Sequence, residues 1–304
     1  MNLLPQACSV AIPCRTDEPA LGATLAALWR DWRDGMAEPS GATPPLEIVV
    51  CLNGADPARG AAAADVARVV AGHRGEPLQV RVLPLATAGK ARAWNALRRQ
   101  APRPITIFAD ADVEIRPGTI PRLLAALAAR PDAILASPRT HCAPRPGWFE
   151  SVMAAPYAIR FPNLSGQLYA ARTAALPPAM PECLVEPERW LELVVGAQHV
   201  VQVADAGVVV RLPATLRDFV RQRVRIEMGK VQLRRDFPGL LGRSAPQPGA
   251  RTALRELEPP ALARLAVYLA LREACHLAAR WRHRPVEEPT DWPQAVSTKD
   301  WRVR

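Results

Sequence analysis

The sequence is poor in aromatic residues and lysines, and it lacks the patterns that mark a metal-binding, redox-active or membrane-spanning protein. Aromatic side chains make up 5% of the 304 residues, so the core must consist mostly of alanine, leucine and valine. None of the six cysteines is spaced as C-x-x-C, which favours free, buried thiols in a reducing compartment. The five histidines are scattered without metal-ligand spacing. The longest uncharged apolar run, at 265–271, is far shorter than the roughly 18 residues of a membrane span.

The start of the sequence has no basic segment of the kind that opens a secretory signal. MNLLPQACSVAIPC carries no lysine or arginine and meets a proline at once. Together with the cysteine pattern, this start predicts a cytoplasmic protein.

Positive charge is concentrated in two stretches, and very little of it comes from lysine. Of the 39 basic residues only three are lysines, Lys90, Lys230 and Lys299, so a lysine is more informative here than an arginine. The net charge of +10 is accounted for by 211–243, with nine basic and three acidic residues, and by 260–284, with five and one. The partner of this region is expected to be anionic, which means a phosphate-bearing substrate, a nucleic acid or a membrane surface.

The first half of the chain alternates between apolar runs and helical patterns. Because the runs are apolar on both faces and helices separate them, they predict an α/β fold with a mostly parallel, Rossmann-like sheet covered by helices on both faces. Ligands bind at the carboxyl ends of the strands in such sheets, so functional motifs should follow strands directly. The predicted strands are 8–13, 46–52, 78–85, 104–110 and 133–137.

After residue 140 the alternation stops, and a different organisation is expected. The segment 141–172 is rich in proline and is predicted to be irregular. A linker over 242–250 separates the preceding elements from a last helix and a loose polar tail. The later predicted elements are a helix at 184–196, a strand at 199–212, a long basic helix at 215–235 and a helix at 259–282 with Leu262, Leu265, Leu269 and Leu277 on one side.

The strongest local motif is FADADV at 108–113, where Asp110 and Asp112 end a buried strand. Carboxylates at such a position are the hard oxygen ligands that Mg²⁺ or Mn²⁺ prefers, and they leave coordination positions open for a diphosphate. A bound ion would act as a Lewis acid on a departing diphosphate. The alternative interpretation is a solvated turn, because D-x-D pairs are common.

Two further motifs suit phosphate groups. AGKARAWN at 88–95 places Lys90 at a glycine-led helix start, where backbone N–H groups and the helix dipole favour anions. RQRVRIEMGK at 221–230 places Gln222, Arg223 and Arg225 with Lys230 on or near a helix, and arginine forks suit diphosphate oxygens. The alternatives are an ordinary helix start for the first motif and an ordinary basic helix face for the second.

A fourth motif, PECLVEPERWL at 181–191, supplies Glu182, Glu186 and Glu188. A carboxylate held in a cleft can serve as a general base. The alternative is that glutamates simply favour the first turn of a helix, where they complement its dipole.

Taken in their order along the chain, the four motifs resemble those of the family-2 glycosyltransferases, which have the GT-A fold. The resemblance runs from about residue 8 to about residue 235. The family's first strand and nucleotide-contacting loop are matched by VAIPCRTDE, its second strand and turn by VVCLNGADP, its Gly-Lys helix by GKARAWNAL, its D-x-D element by FADADV, its acceptor-side glycine segment by LSGQLYAAR, and its Q-x-x-R-W element by QRVRI, with Ile226 in place of the tryptophan.

The resemblance implies a role for each matched residue and a division of the chain. It implies a GT-A catalytic domain over 1–240, with a nucleotide-sugar half at about 1–140 and an acceptor half at about 141–240. The remainder, 241–304, is predicted to be a C-terminal extension made of the linker, the amphipathic helix and the loose tail. The residues that would line the nucleoside pocket are Pro13, Glu18, Asn53 and Asp56, and the nucleotide would be faced by Lys90. The ribose and the metal would be faced by Asp110 and Asp112. The diphosphate would be covered by Gln222 and Arg225.

The resemblance also implies an inverting transfer and exposes one departure from the family pattern. A sugar would pass from a nucleoside-diphosphate sugar to an acceptor hydroxyl, of a lipid or a cell-envelope glycan for example, with Mg²⁺ or Mn²⁺ as cofactor. The family usually has Glu-Asp where this chain has Pro187 and Glu188. Glu188 would therefore replace the aspartate as general base, and Glu186 is the second candidate.

Three other functions are consistent with parts of the sequence. A nucleotidyltransferase usually has a glycine-rich loop after its first strand, and CRTDEPA lacks glycine. A non-catalytic nucleotide-sugar-binding homologue would explain the altered Glu-Asp pair. A nucleic-acid partner is disfavoured because aromatic residues are not interleaved with the arginines. The basic C-terminal region could instead lie on an anionic membrane at its inner face, or its helix could simply pack on the catalytic domain.

Overall fold

The computed structural model of the chain describes residues 8–54, 61–100, 103–143, 147–159, 164–243 and 257–281. The strands are β1 (Cys8–Arg15), β2 (Leu46–Asn53), β3 (Leu78–Leu85), β4 (Ile105–Ala109), β5 (Glu114–Ile115), β6 (Leu135–Cys142), β7 (Leu168–Arg172) and β8 (Val200–Val210). The α-helices are α1 (Leu21–Met36), α2 (Ala61–Gly72), α3 (Lys90–Gln100), α4 (Thr119–Ala129), α5 (Trp148–Ala154), α6 (Pro187–Val195), α7 (Leu216–Asp236) and α8 (Pro259–Trp281).

The strands form one sheet in the order β3-β2-β1-β4-β7-β6-β8-β5. The run β3-β2-β1-β4 is parallel, and a helix separates each of these strands from the next one along the chain. Strand β7 then pairs antiparallel with both β4 and β6, and β5 pairs antiparallel with β8. The predicted α/β fold with its parallel, Rossmann-like strands is confirmed.

Helices cover both faces of this sheet, as predicted. Ile107 and Ala109 of β4 belong to the core that α1, α2 and α4 share with one face. Phe108, between them, points to the opposite face because side chains alternate along a strand. There its ring stacks on Trp94 of α3 at a centroid distance of 5.3 Å. Helix α3 is thus held on the opposite face, which places its first residues beside the ends of the strands.

The prediction of irregular structure over 141–172 was wrong. This segment contains α5 and β7, and β7 is buried in the middle of the sheet. Its sequence LYAAR is too short to show periodicity, and its pairing partners lie far away along the chain. Long-range pairing rather than local pattern therefore makes this strand.

The described chain divides into two compact units. Unit 1 contains Met1–Arg139, Leu164–Glu182 and Gln198–Val209, and unit 2 contains Thr140–Asn163, Cys183–Ala197 and Val210–Arg304. The core of unit 1 is made of aliphatic side chains together with two buried tryptophans of α1. The core of unit 2 is smaller and joins α5, α7 and α8.

Helix α8 packs in unit 2 through a face other than the predicted leucine stripe. Cys275 and Ala279 are buried in the core with Phe219 of α7. Leu265 is buried as well, but the other leucines of the stripe, Leu262, Leu269 and Leu277, are exposed. Among the described residues, no helix combines the length and the apolar character that crossing a bilayer requires. All six cysteines have free thiols, as predicted, and four of them are buried.

Candidate functional site

Polar side chains gather in unit 1 where three parallel strands end. Strand β1 pairs in parallel with β2 on one side and with β4 on the other, so their carboxyl ends lie at the same edge. Asn53 is the last residue of β2, and Asp110 directly follows β4. Pro13 is half-buried near the end of β1, opposite Cys51 in the strand register. The topology thus brings together residues that the sequence predicted to bind a nucleotide.

Asn53 ties the end of β1 to the start of α3. Its side chain is buried, and its Nδ2 donates a hydrogen bond of 2.8 Å to the carbonyl oxygen of Cys14. Its Oδ1 accepts a hydrogen bond of 3.1 Å from the backbone N–H of Gly89. Gly89 has a φ of +149°, which an L-residue rarely adopts, so glycine is needed at this turn. The first turn of α3 is therefore fixed relative to the strand ends.

Lys90, the first residue of α3, reaches the carboxylate of Asp110. Its Nζ lies 2.7 Å from Oδ1 of Asp110 and 3.4 Å from the carbonyl oxygen of Gly166. The Lys90 side chain is 39% exposed and that of Asp110 is 25% exposed, so solvent reaches both groups. The backbone N–H of Asp110 donates to the carbonyl oxygen of Gln167, and this hydrogen bond anchors the aspartate to the segment before β7. Cation and carboxylate thus form one half-exposed pair at the edge of the sheet.

Asp110 and Asp112 are the metal ligands that the sequence predicts. They flank the buried Ala111 in the turn after β4, and Asp112 is also half-exposed. In the part of the chain that the structure describes, no group of three or more histidine, cysteine, aspartate or glutamate side chains could hold a metal ion. Two carboxylates nevertheless suit Mg²⁺ or Mn²⁺ when substrate phosphates and water supply the remaining oxygen ligands. The residues present fit an ion that binds together with a phosphate-bearing ligand.

Two other predicted nucleoside contacts take different positions. Glu18 is buried, and its Oε1 accepts a hydrogen bond of 3.2 Å from the backbone N–H of Ala20, at the start of α1. This contact gives Glu18 a structural task whether or not it also touches a ligand. Asp56 lies outside the described residues.

Asn95, in the same helix as Lys90, holds the segment that precedes the glutamate motif. Its Nδ2 donates to the carbonyl oxygen of Met180 at 2.9 Å, and its Oδ1 accepts from the Met180 N–H at 2.8 Å. One turn earlier, Arg92 pairs with Glu182 at 2.7 Å. Sequence reasoning gave neither pair, because both join residues about 90 positions apart in the chain. Glu182 is thereby engaged with α3.

In unit 2, Glu186 lies against α7, and the pKa of its carboxyl group is unusually high. It occupies the position just before α6, and its side chain passes so close to Gly229 that a Cβ there would collide with it. Burial, and next the charge of Glu188, raise the pKa of Glu186 to about 7, although Lys230, Arg225 and Arg223 oppose the shift. A carboxylate with a pKa near neutrality can accept and release a proton under physiological conditions.

Glu227 gathers the cationic groups of α7 that the sequence suggested for phosphate binding. It is buried and accepts from Arg223 at 2.6 Å and from Lys230 at 2.9 Å, while His276 Nδ1 of α8 lies 3.2 Å away. Burial disfavours its charged form, but the hydrogen bonds and charges of Lys230 and Arg223 outweigh burial and lower the pKa of Glu227 to about 2. Arg223 also donates to the Tyr268 hydroxyl.

This network was missed at the sequence level, although a signal was available. Arg223, Glu227 and Lys230 are spaced i, i+4 and i+7, which puts them on one face of a helix. That spacing predicts mutual ion pairs better than phosphate binding. The charge of Lys230 is therefore largely matched by protein carboxylates within unit 2.

Gln222 and Arg225 lie on the side of α7 that carries Gly229. The positions i, i+3 and i+7 share one face of a helix. Arg225 is exposed and Gln222 is half-buried. Arg225 is therefore the cation of this motif that solvent reaches most readily.

Comparison with known families identifies the chain's relatives. The model of the family described as Glycosyl transferase family 2 matches residues 9–173, which include the strand-end residues and the D-x-D pair. No curated protein matches the sequence significantly.

Two similar solved structures are glycosyltransferases of low sequence identity. The mannosyltransferase PcManGT from Pyrobaculum calidifontis, solved with GDP-Man and Mn²⁺, has a TM-score of 0.57 and 20% identity, over 91% of this chain and 76% of that chain. Glucosyl-3-phosphoglycerate synthase from Mycobacterium tuberculosis, solved with Mn²⁺, UDP-Glc and phosphoglyceric acid, has a TM-score of 0.49 and 16% identity, over 79% and 81%. The first of these similarities establishes the GT-A fold.

Proposed function

The chain belongs to glycosyl transferase family 2, and on that premise we propose that it is a metal-dependent, inverting enzyme that moves a sugar from a nucleoside-diphosphate sugar to an acceptor hydroxyl. The observation that carries the proposal is the meeting of Asn53, Lys90 and Asp110 where parallel strands end. We assign the catalytic domain to 1–240, with 241–304 as an extension.

The donor site that we propose uses the residues at this edge of unit 1. Pro13 and Asn53 line the nucleoside pocket, and the start of α3 with Lys90 receives the diphosphate, because helix N-termini and ammonium groups favour anions. Asp110 and Asp112 hold Mg²⁺ or Mn²⁺, which supplies Lewis-acid stabilisation to the leaving diphosphate when it is bound. The similar mannosyltransferase was solved with a nucleotide sugar and Mn²⁺, which supports this choice of ligands.

In unit 2 we assign the diphosphate contacts Gln222 and Arg225 to α7 and the general base to Glu186. The base takes the proton of the acceptor hydroxyl, whose oxygen attacks the anomeric carbon while the bond to the nucleoside diphosphate breaks on the opposite side. The sequence register favoured Glu188 for this task. The raised pKa of Glu186, to about 7, favours Glu186 instead, with Glu188 as the neighbour that helps to raise it.

The experiment that tests this function measures release of nucleoside diphosphate. Purified protein would be incubated with GDP-mannose, UDP-glucose and UDP-GlcNAc, each with Mn²⁺, with Mg²⁺ and with EDTA, and with a cell-envelope lipid extract as the source of acceptor. We expect one donor to release its nucleoside diphosphate in a metal-dependent and extract-dependent reaction. Absence of release from every donor would contradict transferase activity and favour a non-catalytic homologue.

We further propose that the enzyme works in the cytoplasm on the anionic inner face of the membrane, and that α8 makes the contact. Support comes from the exposed Leu262, Leu269 and Leu277, and from the five basic and one acidic residues of 260–284. An apolar stripe next to arginines suits the interface of an anionic bilayer.

Liposome flotation tests this membrane contact. The full chain should float with anionic vesicles and much less with neutral ones, because both charge and apolar contact contribute. The double variant Leu269→Glu with Leu277→Glu should stay at the bottom of the gradient. Val70→Glu changes an exposed valine in unit 1 and serves as the control. A wild-type chain that does not float with anionic vesicles rules the contact out.

A further inference from the structure

The pairing of Lys90 with Asp110 puts an organic cation on a carboxylate that the proposed function assigns to a metal ion. The ammonium nitrogen lies 2.7 Å from Oδ1 of Asp110, which is direct contact distance. A divalent ion at the same oxygen would meet this positive charge at very short range. Metal and lysine therefore compete for one carboxylate.

The lysine is held at its base and is adaptable at its tip. The hydrogen bond from Gly89 to Asn53 fixes the backbone at the start of α3, so the Cα of Lys90 has a defined position. Its tip is half-exposed, and its Nζ also donates to the carbonyl oxygen of Gly166 at 3.4 Å. A lysine side chain is a flexible four-carbon stem with a point charge at its end. The ammonium group can leave Asp110 without any change of backbone.

We propose that Lys90 acts as a counter-ion that keeps Asp110 from binding a metal until a diphosphate arrives. The inference rests on the proposed donor site. The negative diphosphate draws the ammonium group away from Asp110, and the uncovered carboxylate then shares the metal with the phosphate oxygens. Metal and nucleoside diphosphate consequently bind with positive coupling, each raising the affinity for the other by the same factor.

The structure favours Lys90 for this role over the other cation in the first turn of α3. Arg92 is already paired with Glu182, at 2.7 Å. Arg92 therefore offers a matched control, since its replacement removes one positive charge from the first turn of α3 without removing the partner of Asp110.

The test is a titration with Mn²⁺ in which free ion is followed by electron paramagnetic resonance, without nucleotide and with saturating GDP, UDP, ADP or CDP. Wild type, Lys90→Met, Lys90→Arg and Arg92→Met would be compared, and circular dichroism would confirm that each variant is folded. No turnover is needed, so the readout is independent of the acceptor.

We expect wild type to bind Mn²⁺ weakly alone and at least about tenfold more tightly with the matching nucleoside diphosphate. Lys90→Met should bind Mn²⁺ alone about tenfold more tightly than wild type, and the enhancement by nucleotide should shrink. Lys90→Arg keeps the positive charge next to Asp110, and Arg92→Met keeps the ion pair of Lys90 with Asp110. Both variants should therefore bind Mn²⁺ like wild type.

Two failures would be told apart by this titration. If wild type shows coupled binding but Lys90→Met binds Mn²⁺ alone no more tightly than wild type, the counter-ion role of Lys90 is wrong and the donor site stands. If neither protein binds Mn²⁺ with any of GDP, UDP, ADP and CDP, the proposed metal-dependent donor site is wrong, and the role of Lys90 falls with it.

Discussion

Replacing Asp112 with asparagine is expected to lower metal-dependent turnover by about 10²-fold or more while the protein stays folded. The substitution keeps the shape of the side chain and removes its charge, so the loss reports electrostatics rather than packing. Asp112 is half-exposed in the turn after β4, and asparagine is well tolerated in turns. Turnover with Mn²⁺ should therefore fall, and the melting temperature without ligand should stay close to that of wild type.

A matched control keeps this result specific to the metal. Asp132 is an exposed aspartate of unit 1 whose partner is Arg130, at 2.9 Å. Asp132→Asn should leave both turnover and metal dependence unchanged. Full activity of Asp112→Asn with unchanged Mn²⁺ dependence would show that Asp112 does not hold the ion.

Replacing Glu186 with glutamine is expected to reduce kcat by about 10²- to 10⁴-fold, because it removes the proposed general base. In wild type the group must be deprotonated to work, and its pKa is raised to about 7. Activity of the wild type should therefore rise with pH through neutrality and level off in the mildly alkaline range. The residual activity of Glu186→Gln should lack that rise.

Glu188→Gln is the informative companion variant. The charge of Glu188 helps to raise the pKa of Glu186, so its removal should move the midpoint of the pH profile to lower pH. Turnover at alkaline pH should be retained. The opposite pattern, with Glu188→Gln inactive and Glu186→Gln active, would return the role of base to the residue that the sequence register favoured.

The parallel half of the fold was predictable because its signals are local. Each of the apolar runs that became β1 to β4 is bounded by turn residues, and the helix patterns between them imply parallel pairing. From the alternation of strands and helices alone, Asn53 and Asp110 were expected at the carboxyl ends of the parallel strands. β7 was not predictable, because five residues without alternation become a strand only by pairing with β4 and β6.

The chemistry of the glutamates was only partly predictable from the sequence. Glu186 and Glu188 were both recognised as candidates, but the sequence cannot show that Glu186 is the one packed against Gly229. Burial of that carboxyl group depends on the contact of Glu186 with α7, which begins 30 residues further along the chain. The His276 contact with Glu227 depends in the same way on the packing of α8 against α7.

The central claim is that the strand-end edge of unit 1 binds a nucleoside diphosphate together with a divalent metal ion. It is tested most directly by the thermal stability of the protein with GDP, UDP, ADP and CDP, each with Mn²⁺ and with EDTA, since a ligand that binds the native state stabilises it. The account predicts that one nucleoside diphosphate raises the melting temperature with Mn²⁺, that EDTA abolishes the rise, and that Asp112→Asn lacks it. Equal melting temperatures for all of these mixtures would contradict it.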